Sequence, residues 1–100
     1  MKLREIAHTR SGDKGNISNI AVIAYKEKDY TLLKSAVTVE RVRDFFGSRV
    51  KGKIERFELP QLGALNFVLY DALGGGVTRS LAIDIHGKTL STVLLDIEIP

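Results

Sequence analysis

The chain has 100 residues, 44% apolar and 27% charged, with 15 Lys and Arg against 12 Asp and Glu, a net charge of +3, and no cysteine. Such a chain suits one compact domain, residues 1–100, of ordinary globular composition, and it excludes a disulfide framework and thiolate metal sites. No run approaches the roughly 20 apolar residues of a membrane span, and the start, MKLREIAHTR, lacks the apolar core of a signal peptide, so the cytoplasm is the expected location.

The basic surplus is uneven: residues 1–50 hold ten Lys and Arg against six Asp and Glu, and residues 51–100 hold five against six. The three Tyr and four Phe build no basic-aromatic platform. The charge therefore points to a small anionic ligand rather than to nucleic acid.

Residues 3–8 read as a short strand, followed by the polar loop HTRSGDKGN at 8–16. Residues 17–25, ISNIAVIAY, are apolar on both alternating faces and predict a central strand. Residues 30–46 predict a helix in two pieces, with Thr38 as N-cap and Gly47 as C-terminal cap. Residues 51–59 read as a strand with a charged outer face, placed near an edge. From Pro60, the residues Leu62, Leu65, Val68, Leu69, Ala72 and Leu73 fall on one helical face, and the GGG at 74–76 stops the run. Residues 80–85 alternate as a strand, and HGK turns the chain. The C-terminal stretch fits a final strand after one helical turn. The sum is an α+β, two-layer sandwich: a mainly antiparallel sheet with helices on one face.

Two glycine-rich basic stretches carry the candidate chemistry. In the first, Gly12 and Gly15 let backbone N–H groups converge on an anion. Arg10 offers a planar fork, Lys14 a point charge, His8 a general acid or base, and Asp13 an orienting carboxylate. Ser11 and Asn16 add polar groups, though no base is evident for Ser11 as a nucleophile. The catalytic candidates are thus His8, Asp13 and Lys14. The order of Lys14 and Gly15 departs from a Walker A loop. A tight loop with solvated charges accounts for the composition equally well.

The second stretch, GGGVTRS, places Gly74, Gly75 and Gly76 where a backbone approaches a ligand closely, with Thr78, Arg79 and Ser80 as donors. Asn66, in an otherwise apolar run, faces a pocket or caps a neighbouring backbone. With only His8 and His86 and no cysteine, no metal site is expected, and His86 reads as a turn residue.

The motifs HTRSGDKGNISNIAVIA, FF with a following Gly, RFELPQLGALNFVLYDALGGGVTRSL, D.HGK and LLD.EI together resemble the AtuA-like domain of acyclic terpene utilisation proteins. The likeness covers nearly the whole chain. It implies a ferredoxin-like fold and a role in catabolism of acyclic terpenoids or short acyl-CoA compounds, with CoA or acyl-CoA as candidate ligand. Without the large domain of those proteins, the chain reads as a stand-alone form: an accessory subunit partnered by a large AtuA-type protein, by copies of itself, or by both. A self-sufficient acyl-CoA hydratase or isomerase, with Arg10 and Arg79 holding the anion, and a non-catalytic anion- or nucleotide-binding module are the alternatives. No residue roles are carried over from the family.

Overall fold

The computed structural model describes residues 1–14, 17–47, 50–71 and 90–99. Strands β1 (Ala7–Lys14), β2 (Ile17–Ala24), β3 (Ile54–Leu59) and β4 (Ala64–Leu69) form a four-stranded antiparallel sheet in the order β1-β2-β4-β3. Helices α1 (Tyr30–Ala36) and α2 (Val39–Phe46) connect β2 to β3, and β4 is inserted between those two strands as a split βαβ unit. A short helix, α3, spans Leu90–Leu94. This is the expected α+β, ferredoxin-like arrangement, with β2 central and β3 at an edge.

Alternation builds the core. Ile20 and Val22 of β2, with Leu65, Phe67 and Leu69 of β4, are buried on one sheet face. They pack in one cluster with Leu33 and Val37 of the α1 region and Val42 and Phe46 of α2. Leu94, Ile97 and Ile99 join it from the C-terminal stretch.

The helix breaks where expected. Thr38 is extended, at φ −92° and ψ 166°, and its hydroxyl accepts from Arg41 N at 3.1 Å, satisfying one of the free N–H groups of α2. Gly47 ends α2 at φ +56°, a backbone state that disfavours a side chain. Arg56 of β3 donates to the carbonyls of Lys34 at 2.8 Å and Val37 at 2.9 Å, so a cation covers the C-terminal end of α1.

The two ends of the described chain meet. Leu3 N donates to Ile97 O at 2.9 Å, Ile99 N donates to Met1 O at 2.8 Å, and Lys2 and Glu98 form an antiparallel bridge. At the other end, Gly52 N donates to Tyr70 O at 3.0 Å. A Cβ on Gly52 would lie 2.4 Å from that same carbonyl oxygen, so only glycine permits this approach.

Four expectations are corrected. Residues 3–8 are not a strand: Leu3–Glu5 is a 3-10 turn that buries Leu3 completely, and the strand begins at Ala7. The stretch 8–16 is not a loop as far as Lys14. Its backbone is paired along β2, with His8 opposite Ile23, Arg10 opposite Ala21 and Gly12 opposite Asn19. Polar side chains there mark an edge strand, not a turn, and among the described glycines only Gly47 and Gly63 take positive φ.

The helix expected over 60–73 is a 3-10 turn at Pro60–Leu62, a left-handed Gly63 at φ +61°, and then β4. The true period is two: Leu65, Phe67 and Leu69 are buried, while Asn66 and Val68 alternate on the opposite face at intermediate exposure. At the C-terminus the helical turn is present as α3, but the expected final strand is not among the described residues, where Glu98 makes only an isolated bridge to Lys2. The strand expected at 80–85 and the turn at His86 lie outside the described residues.

Candidate functional site

Residues directly opposite one another across an antiparallel ladder share a face. The face turned away from α1 and α2 is therefore set by register. One row runs His8, Ile23, Ala64, Leu59; the next runs Arg10, Ala21, Asn66, Phe57; the third runs Gly12, Asn19, Val68, Glu55. This open face gathers most of the described side chains that carry chemistry.

Strand alternation divides the polar stretch at 8–14 rather than wrapping it around one point. His8, Arg10 and Gly12 lie on the open face, whereas Thr9 and Ser11 alternate to the other. Thr9 is structural: its hydroxyl donates to Ser91 O at 2.9 Å. Ser11 is exposed opposite Ile20. Asp13 and Lys14 occupy the ladder positions opposite Ser18 and Ile17. Gly15 and Asn16 lie outside the described residues, as do Gly74, Gly75, Gly76, Thr78, Arg79 and Ser80.

His8 stacks on Tyr25, with ring centroids 5.2 Å apart and an interplanar angle of 27°. Its Nδ1 is buried and has no hydrogen-bond partner among the described residues. Arg10, two residues along the same face, is exposed and makes no hydrogen bond or ion pair with the described residues. Across the small side chain of Ala21 stands Asn66, whose Nδ2 donates to Asn19 Oδ1 at 3.4 Å. Asn66 thus sits on a strand, facing the open side of the sheet, and not within a helix.

At the β3 edge the face becomes more polar. Tyr70 Oη donates to Glu55 Oε1 at 2.9 Å, Lys53 Nζ lies 3.5 Å from Glu55 Oε2, and the same ammonium stands 5.0 Å from the Tyr70 ring centroid. The Glu55 carboxylate holds the Tyr70 phenol above its ordinary pKa, first through that hydrogen bond.

Its apolar corner is formed by Tyr25, Phe57 and Leu59, exposed by 62%, 48% and 37%, and Leu62, exposed by 69%, is in the turn that joins β3 to β4. Sequence reasoning missed Asn19, Tyr25 and Phe57. Asn19 carried the same signal as Asn66, a carboxamide inside an apolar run; the two aromatics carried none until register placed them. Among the described residues no three His, Asp or Glu side chains gather to hold a metal ion, and no helix is long and apolar enough to cross a membrane.

No characterised protein and no solved structure matches this sequence. A family model does, over residues 1–100, and the described split βαβ architecture agrees with its description. The chain belongs to the AtuA ferredoxin-like domain family.

Proposed function

We propose that this chain is an accessory domain or subunit of an AtuA-type protein, acting in the cytoplasm in the catabolism of acyclic terpenoids or short acyl-CoA compounds. It works by docking the open face of its sheet against the large AtuA-type protein. One observation carries the reading. Of the five large apolar side chains exposed among the described residues, three lie toward one end of that face, Tyr25, Phe57 and Leu59, and a fourth, Leu62, is in the turn that follows Leu59. Apolar side chains clustered beside polar ones mark an interaction surface, because water contact there is unfavourable and a partner relieves it. Membership of the AtuA ferredoxin-like domain family supports a larger AtuA-type protein as the partner.

The test is co-expression of the tagged chain with the large AtuA-type protein. The wild-type chain retains the large protein on the tag, and Phe57→Asp with Leu62→Asp loses it while the melting temperature stays within a few degrees. Failure of the wild-type chain to retain the large protein contradicts the proposal.

A further inference from the structure

We infer that the centre of the open face, between Arg10, Asn19 and Asn66, is a binding site for a monocarboxylate carrying an apolar tail. Arg10 on β1, Asn19 on β2 and Asn66 on β4 surround a low patch of the sheet whose floor is Ala21 and Gly12. A Cβ on Gly12 would meet nothing within 4 Å, so the space above it is open. A row and its diagonal neighbour span distances that long polar side chains bridge across one small ligand group.

The donors match a carboxylate. The Arg10 guanidinium presents two parallel N–H groups and has no bond with the described residues to give up. One N–H of Asn66 goes to Asn19 Oδ1. The other N–H of Asn66 and both on Asn19 Nδ2 make no bond with the described residues, and each carboxamide is only partly exposed. Neither amide nitrogen is among the buried polar atoms without a partner, so both donors reach solvent, and an anion's oxygens would take the place of water on them. One guanidinium balances one negative charge, which favours a monocarboxylate over a phosphate dianion. Beside the polar patch, the partly exposed Ile23 and the exposed Phe57 provide an apolar floor on which a tail would lie.

The inference does not rest on docking to a larger protein, because the isolated full chain suffices to test it. Titrate the chain by calorimetry with hexanoate and 4-methylpentanoate, and in parallel with acetate, hexan-1-ol and inorganic phosphate. Hexanoate and 4-methylpentanoate bind, while acetate and hexan-1-ol bind at least tenfold more weakly, because each lacks one half of the ligand. Arg10→Gln and Asn66→Asp each weaken hexanoate by about tenfold or more, the first by removing the cation and the second by adding a like charge. Gly12→Leu fills the patch and has the same effect, and circular dichroism confirms that all three variants fold. Hexanoate affinity unchanged in Arg10→Gln, no binding by either tailed carboxylate at millimolar concentration, or phosphate binding as tightly as hexanoate would each overturn the assignment.

Discussion

The two faces of one sheet are made by alternate residues of the same four strands, yet they differ in kind. On β2, Ile20 and Val22 are fully buried, and between them Ala21 faces out, with Asn19 beside it. On β4, Phe67 is fully buried while its neighbours Asn66 and Val68 stay partly exposed. A face that only needed to be wetted would carry Ser, Thr, Lys and Glu. Besides Lys53 and Glu55 at its β3 edge, this one carries an aromatic stack, an amide pair, a guanidinium unpaired among the described residues and an exposed Phe. The difference separates the residues that hold the fold from those that meet something else, and each strand contributes to both sets.

The comparison breaks first at Phe67. Phe67→Ala removes a fully buried ring from the core and costs about 3–5 kcal/mol in chemical denaturation. A loss below about 1 kcal/mol would mean that the covered face does not dominate stability. Next comes Gly52→Ala, which forces a methyl group into the Tyr70 carbonyl and costs about 1–3 kcal/mol. A neutral result would show that β3 and β4 do not approach as closely as described.

Glu55→Gln sharpens the account of the open face by a titration rather than by unfolding. The raised phenol pKa of Tyr70 depends first on the Glu55 carboxylate, so the variant brings it back toward 10.0, read by phenolate absorbance. Because the folded value is the higher one, the stabilisation linked to it is intact below the unfolded pKa and is lost as pH rises through the folded pKa. An unchanged titration curve would remove Glu55 as the cause. The smallest effect is that of Phe57→Ala, which changes stability by no more than about 0.5 kcal/mol although the residue is as large as Phe67. A loss comparable with that of Phe67→Ala would erase the distinction between the faces.

Much of the fold was legible because its signals are local. Thr38 and Gly47 are caps with a mechanism, and they located the break and the end of the paired helices. The run at 17–25 read as central because both of its faces are apolar, and the strand ending at Leu59 read as an edge from its charges. Reading β4 as a helix failed for a physical reason: Val68, on the open face, supplies an apolar residue at helical spacing and hides the two-residue period of Leu65, Phe67 and Leu69. The polar stretch at 8–14 was mistaken for a loop because an edge strand with one face open to solvent has the composition of a turn. Within the candidate site, Arg10, His8 and Asn66 could be named from their residue types. Their assembly with Asn19, Tyr25 and Phe57 could not, since it depends on strand order and register, which join residues more than forty positions apart.

The most direct test is amide NMR of the isotopically labelled chain, titrated with the unlabelled large AtuA-type protein. The account predicts shift changes concentrated at Tyr25, Phe57, Leu59, Leu62 and their neighbours on the open face, with the amides of α1 and α2 unmoved. Changes centred on α1 and α2 would contradict it, as would a titration that moves nothing.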